Sequence, residues 1–534
     1  MTQYQTNRGN GRFNFSRTFT DNPNNAATTG DAMAGLLLGT ASTIEQDFTL
    51  FAPGIRIWES NYFFQDDWRV NDRLTLNYGV RYEYDTPSVE VTNRWTNYDV
   101  VQAQLLISGF NTDSRTGVSG DKNNWAPRVG FAYKLRPGTI LRGGAGIFYN
   151  PAGSESVMLR RHRQLPFGPI NTIDINQFVA NPRRVSDGLP PIPSLNFAAA
   201  VANPVGNFLG VDTNFRSGIA QQYNLQLQQQ LPKELVFKVG YVGNMGRRLD
   251  NVFNFNQPVP GAGAPAPRRP LFSRAPGIVN IDYNVSDGLS SYHSLQSTIE
   301  RRFSNGLGFL TAYTWAHSID NVANQFGGAD NGPLPQDRRF RNADRGTSGH
   351  DITHRLVYSM NYELPFGKGR KFSTGNKLMD NLIGNWDTNM IVAAQSGLPF
   401  TPVLAASVSN AGGSRPDRFK SGELENPTIA RWFDTSLGTA ASGAAFGTPA
   451  VFTFGNSARN ILRGPGRTNV DFSMFKNFLF TESLKLQFRA EFFNLLNHAQ
   501  FDLPNPAVGN PNAGIINSIV GTPRQVQFAL RLSF

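Results

Sequence analysis

Two histidines stand one helical turn apart in 350-HDITH-354. That is the spacing of the H-E-x-x-H zinc motif, in which both rings hold the metal and the glutamate serves as base. Here Asp351 replaces the glutamate, and its shorter arm would miss a metal-bound water. Thr353 opens a strand pattern, so the helix that the motif needs is not expected. A polar junction between loop and strand is expected instead, with no metal. Basic residues gather at Arg160-Arg161-His162-Arg163, Arg247-Arg248, Arg301-Arg302 and 338-RRFR-341. Nucleic-acid binding needs such residues on one face with stacking aromatics. These fall on different loops and strand ends, so no nucleic acid is expected. Gly143-Gly144-Ala145-Gly146 fails the G-x-G-x-x-G spacing, because Tyr149 takes the last place. Glycines there are expected to mark a bend or close packing in a strand. No phosphate loop, G-x-S-x-G elbow or paired-carboxylate site is supported by spacing. The chain is therefore expected to have no catalytic, cofactor-binding or metal residue, and not to be an enzyme.

The elements around these residues must explain them. The chain has 534 residues with a formal charge of +11, enough for several domains or one large barrel. A basic surface suits nucleic acid, anionic lipid or acidic ligands, and charge alone selects none of these. The longest apolar run, Ala34-Gly35-Leu36-Leu37-Leu38-Gly39, is far short of the ~20 residues a spanning helix needs. Aromatics reach 12 %, with 41 Phe, in a chain of mean hydropathy −0.34. That enrichment suits strands and membrane-interface girdles. With no cysteine, disulfides, thiolate metal sites and cysteine nucleophiles are excluded. The start, MTQYQTNRGNGRFNFSRTF, lacks an apolar core of signal-peptide length; either the protein is not exported by itself or the chain begins inside a longer one, and the strand pattern favours the second.

The last ten residues, 525-QVQFALRLSF-534, alternate strictly. Val526, Phe528, Leu530, Leu532 and Phe534 form one set. Gln525, Gln527, Ala529, Arg531 and Ser533 form the other. Period two means a strand with one oily face and one polar face. The pattern recurs in 73-RLTLNYGVRYEYD-85 and 484-LKLQFRAEF-492. It recurs again in Phe309-Thr311-Tyr313-Trp315 and Leu356-Tyr358-Met360-Tyr362-Leu364. About fourteen such segments begin near residues 12, 55, 73, 127, 139, 221, 234, 292, 307, 353, 384, 468, 483 and 523. Their length, roughly nine to thirteen residues, suits a tilted membrane strand.

Tight turns at Val70-Asn71-Asp72, Arg136-Pro137-Gly138, Pro232-Lys233, Ser304-Asn305-Gly306 and Leu479-Phe480-Thr481-Glu482 alternate with long stretches at 86–126, 150–220, 244–290, 318–352, 395–467 and 495–522. The segment 366–385 is intermediate and falls where a short turn is expected. Such asymmetry marks an antiparallel up-and-down transmembrane β-barrel, with short periplasmic turns and long extracellular loops. The fold expected is all-β, one barrel domain over 1–534, with oily rows on lipid and polar rows on a wet lumen. Both termini are expected on the short-turn side. Asp66, Asp67 and Glu491 are expected on the lumen face. The basic clusters would then meet lipopolysaccharide phosphates, line the lumen or face solvent. A short helix in 31-DAMAGLLLG-39 would cap the barrel mouth or pack on another loop, with packing the expected role.

Several stretches resemble the barrel of TonB-dependent outer-membrane receptors, specifically the Oar-like branch. They are 62-YFFQDDWRVNDRLTLNYGVRYEY-84, 241-YVGNMGRRL-249, 292-YHSLQSTIERRFSNGLGFLTAYTWAHSID-320, 351-DITHRLVYSMNYELPFGKGRKF-372, 386-WDTNMIVAAQSGLPFTP-402, 463-RGPGRTNVDFSMFKNF-478 and 488-FRAEFFNLLNHAQFDLPN-505. Such receptors have about twenty-two strands, so the chain resembles the C-terminal part of a barrel, without plug or carboxypeptidase-regulatory-like domain. The resemblance implies substrate uptake across the outer membrane of a Gram-negative bacterium, with TonB as partner only where a plug lies upstream. It also implies that Phe528, Leu530, Leu532 and Phe534 form the C-terminal signal read by the barrel-assembly machinery. Outer-membrane lipid and lipopolysaccharide are expected neighbours. A structural or adhesive surface barrel, or a passive pore, stands as the alternative.

Overall fold

The computed structural model describes residues 11–16, 19–20, 30–47, 53–150, 158–168, 170–174, 184–189, 196–322, 335–413, 415–481 and 484–534. Thirteen long strands dominate it: β1 Glu59–Arg69, β2 Leu74–Asp85, β3 Asn124–Arg136, β4 Thr139–Asn150, β5 Gly218–Leu231, β6 Leu235–Asn254 and β7 Ile278–Ser304, then β8 Leu307–Asp320, β9 His354–Glu363, β10 Trp386–Gln395, β11 Arg467–Leu479, β12 Lys485–Phe493 and β13 Gln525–Ser533. Each pairs antiparallel with the next, in chain order, forming one meander. Two short strands join it off this path, Gly206–Val211 and Gly346–Thr347, for a 15-stranded sheet. Among the described residues, three short α-helices lie outside the sheet: α1 Ala32–Leu37, α2 Phe197–Ala202 and α3 Lys377–Ile383.

Register keeps the alternation intact from strand to strand. Leu225, Tyr241, Leu295 and Trp315 form one cross-strand row over β5 to β8, all exposed. The next row, on the opposite face, is Gln226, Gly240, Gln296 and Thr314. A slip of one residue would exchange the two sets, so burial of one face in hydrocarbon fixes the pairing. Gly143 belongs to the outer face, and a Cβ there would stand 2.6 Å from the Phe131 ring of the neighbouring strand. Close packing under an aromatic ring therefore explains Gly143, and close approach of the Val129 carbonyl, 3.2 Å from a Cβ, explains Gly144.

All short connections lie at one end of the sheet, and the long ones at the other. Asn305 and Gly306 join β7 to β8 with φ of 49° and 78°. Two left-handed residues make the hairpin turn whose twist matches the strands. Part of the stretch expected as the loop 244–290 is strand instead. β6 and β7 run 20 and 27 residues, too long for a membrane crossing, and continue past the wall as a two-stranded ribbon. Gly206–Val211 pairs parallel to this ribbon. Tyr98, Leu105, Ile107, Phe167, Phe208, Leu271, Ile278 and Ile281 pack around it as a buried core made wholly of loop and ribbon residues.

Four expectations need correction. The segment near residue 12 is not a wall strand. Arg12–Asn14 pairs with Thr43–Asp47 in a separate three-stranded sheet, and Phe13 and Phe15 pack on Ala41 and Ile44. Since β1 reaches β2 through a short turn, the described part of 11–58 sits at the long-loop end. The carboxyl terminus lies on the short-turn side, as expected; residues 1–10 lie outside the described residues. Asp66 shares the outer face with Phe64 and Trp68 through its pairing with Tyr78, whose hydroxyl donates to it at 2.8 Å. Helix α1 buries Gly35 but leaves Met33, Leu36 and Leu37 exposed, so its apolar side is not packed.

Among the described residues, β1 pairs only with β2 and β13 only with β12. The sheet thus carries two strand edges, at Glu59–Arg69 and Gln525–Ser533.

Candidate binding site at the loop end of the lumen

On the polar face, β9, β10 and β11 bring Arg355, Gln395 and Arg467 into one cross-strand row. Ala393 pairs with Asn469, and Ile391 with Asp471, one and two steps deeper along β11. This row floors a pocket of about 450 Å³ at the long-loop end, which Asn494, Gln500, Val520 and Thr522 of the β12–β13 loop also line. Asp471 is held in place by Asn469 Nδ2, donating at 2.9 Å, and by the Asn494 amide, at 2.8 Å. Gln500 grips the Thr468 backbone from the loop, accepting from its amide at 2.9 Å and donating to its carbonyl at 2.5 Å.

The two arginines are different. Among the described residues, neither the Arg355 nor the Arg467 guanidinium has an ion-pair, hydrogen-bond or ring partner. Each carries a fixed fork of donors suited to carboxylate or phosphate. Two such forks in one row, on strands two apart, beside polar amides and with one carboxylate, Asp471, deeper along the wall, leave the site net positive and suited to an anionic group. Neither residue stood out in the sequence. Their signal was parity: Arg355 shares the polar face with Ser359, Asn361 and Glu363, and Arg467 with Asn469 and Asp471. Only the strand register joins them.

The residues singled out by chemistry serve other ends. Asp351 of the HDITH stretch is buried, accepts from the Ser318 amide at 2.6 Å, and meets the Arg463 guanidinium from the β10–β11 loop. His354 begins β9, and its Nδ1 lies 2.8 Å from the Tyr313 hydroxyl. Among the described residues, no group of three or more His, Asp and Glu side chains could hold a metal ion. Arg161 is fully buried, which corrects its expected place at lipopolysaccharide, lumen or solvent. It stacks on Trp95 at 3.8 Å and donates to Thr116 Oγ1 at 2.7 Å and Ser88 Oγ at 3.2 Å. Of 338-RRFR-341, Arg339 pairs with Asp337 at 2.6 Å and Arg341 lies 4.1 Å over Phe253, so both fasten loops. Phe528, Leu530 and Leu532 are exposed on the outer face of β13, and Phe534 follows, 96 % exposed.

No curated protein sequence matches the chain. Several solved structures match it at low identity and with TM-scores below 0.5. The ferripyoverdine receptor of the outer membrane of Pseudomonas aeruginosa matches at 10% identity and TM-score 0.43, over 91% of this chain and 39% of that one. The outer membrane transporter YddB from Escherichia coli matches at 9% and 0.40, over 92% and 52%. The siderophore receptor PirA from Acinetobacter baumannii matches at 11% and 0.41, over 92% and 51%. The chain thus spans about half or less of the length of these structures, and at this identity none of their activities transfers to it. A family model for the outer membrane beta barrel domain matches residues 1–527. The chain belongs to the outer membrane beta-barrel domain family and is a protein of the Gram-negative outer membrane.

Proposed function

We propose that this chain supplies the wall, loop cap and binding pocket of an outer-membrane uptake receptor for an anionic solute. One observation carries the proposal: the guanidinium groups of Arg355 and Arg467, without a partner among the described residues, floor a lumenal pocket beneath the long loops. A solute entering from outside meets the loops first and this row next. Binding there involves no covalent chemistry. In lipid, backbone groups at a sheet edge must be paired. The edges of β1 and β13 therefore take further strands, as in the larger, Oar-like, TonB-coupled barrel of about twenty-two strands that the sequence resembles. An upstream plug would add TonB as partner. The outer row of β13, ending at Phe534, is the surface offered to the assembly machinery.

Cells carrying and lacking the gene, given a panel of labelled small organic anions and neutral solutes, test this. Gene-dependent uptake of an anion, reduced at least tenfold by Arg355→Ala with Arg467→Ala, is expected. Uptake that survives the double variant unchanged overturns the assignment of the pocket. Uptake that persists after the proton gradient is collapsed indicates a passive pore.

A structural or adhesive barrel is the second reading, favoured by the exposed Met33, Leu36, Leu37 and Leu38 at the outer end. Gene-dependent surface attachment with no gene-dependent uptake would support it.

A further inference from the structure

The connection between β9 and β10 differs from every other short-turn link, because residues 364–385 carry helix α3. The helix is well started. Asn376 Oδ1 accepts from the Leu378 and Met379 amides at 3.0 and 3.3 Å. Asp380 folds the preceding segment back, accepting from Ser373 Oγ at 2.6 Å and the Thr374 amide at 2.7 Å. The helix is also fastened to the wall. Lys476 of β11 donates to the carbonyls of Asn381 at 2.6 Å, Leu382 at 3.2 Å and Gly384. Trp386 Nε1 adds a bond to Leu382 O at 3.2 Å. A cation at the last carbonyls of a helix satisfies groups that have no partner within it.

Lys476 and Trp386 are cross-strand partners on the outer face, in line with Phe488. Helix α3 is therefore held against the lipid-facing side of the wall, at its periplasmic rim. Its free side is oily: Leu378, Met379 and Leu382 are 81 %, 48 % and 67 % exposed. Upstream, Phe366 and Phe372 are exposed with ring centroids 5.5 Å apart. Three basic residues sit beside them. Arg370 is engaged by Glu363 at 2.8 Å and Lys371 lies 5.3 Å over Phe372, while Lys368 has no partner among the described residues.

Oily side chains continuous with a lipid-facing wall, flanked by lysines, have the composition of an interfacial anchor. We propose that residues 364–385 form a foot that binds anionic phospholipid of the periplasmic leaflet. Leu378, Met379 and Leu382 enter the acyl region, and Lys368 and Lys371 meet headgroup phosphates.

The 534 residues include no cysteine, so Met379→Cys gives this chain one attachment point for an environment-sensitive fluorophore. The labelled protein is reconstituted into vesicles of phosphatidylcholine alone or with phosphatidylglycerol. A blue shift and quenching by nitroxide lipids are expected, both larger with phosphatidylglycerol. Lys368→Glu with Lys371→Glu should abolish the difference between the two lipids. Leu378→Ser with Leu382→Ser should return the emission toward that of water in both. A water-like emission in both lipids overturns the proposal and points to a protein partner. An equal blue shift in both overturns its anionic part. Should the charge-reversal variant fail to refold, titration of phosphatidylglycerol against the unaltered lysines decides between the same outcomes.

Discussion

Arg459, in the loop between β10 and β11, clasps the carboxylate of Asp320 at the end of β8, and both are shut off from solvent. The same guanidinium donates to the carbonyls of Asp320 at 2.9 Å and Val322 at 2.6 Å. One side chain from a distant loop thus satisfies the frayed top of a wall strand. Arg459→Ala leaves a buried carboxylate with the Val322 amide at 3.1 Å but without its counter-charge, a change that costs roughly 3–5 kcal/mol. Hydrogen exchange should accelerate in 396–466 and at the top of β8 together. Arg459→Met combined with Asp320→Leu should recover much of the loss. Faster exchange in one segment without the other would refute the coupling.

The outer and inner rows of β13 should respond oppositely to charge. Leu530 pairs with Phe488, and Gln527 with Glu491. Leu530→Arg places a cation in hydrocarbon, at a cost of about 2–4 kcal/mol if it lies at the midplane and less toward the rim. Gln527→Arg meets the Glu491 carboxylate of the neighbouring strand on the wet lumen face and should be tolerated. Refolding yields in detergent measure both. Equal yields would defeat the assignment of faces.

The β7–β8 turn sets a further test. Gly306 has a φ of 78°, and a Cβ there would lie 3.2 Å from the Glu363 carbonyl. Gly306→Ala should cost about 1–2 kcal/mol, the penalty of a side chain in the left-handed region. The urea midpoint should fall, whereas alanine at Lys233 should leave it within error of the unaltered protein.

Acid should loosen the periplasmic foot. The Ser373 hydroxyl, then the Thr374 amide, holds the Asp380 carboxyl below its ordinary value of 3.8. A carboxyl depressed in the folded state stabilises it above 3.8, and that contribution fades as pH falls from there through the lower folded value. Amide exchange, corrected for its intrinsic pH dependence, should rise in 373–384 below pH 3.8. Asp380→Asn should show the faster exchange already at neutral pH. Unchanged protection of 373–384 in acid would contradict the role given to Asp380.

What could be read from the residues alone followed from how local the cause was. Period-two alternation in 525–534 or 73–85 reports two environments that each strand carries along its own length, so wall and lumen faces were legible. The same alternation at Phe13 and Phe15 misled, because an oily row looks alike whether it meets lipid or the small cluster around Ile44. Asp66 and Lys476 were legible in principle, since each shares parity with aromatic neighbours. Arg161 was not, because Trp95, Thr116 and Ser88 reach it across loops far apart in the chain. The arginine pair of the pocket required strand register, which no single segment contains.

The ribbon of β6 and β7 has a mechanical consequence. Its strands are continuous with the wall, and the cap's largest core is packed about it. A pull on the cap from outside, along the strand axis, loads the ladder bonds between β6 and β7 and their neighbours in shear. Bonds loaded that way must break together rather than one by one. The ribbon therefore acts as a mast, and the outer crust should resist tearing from the cell surface far better than loops on slack tethers would.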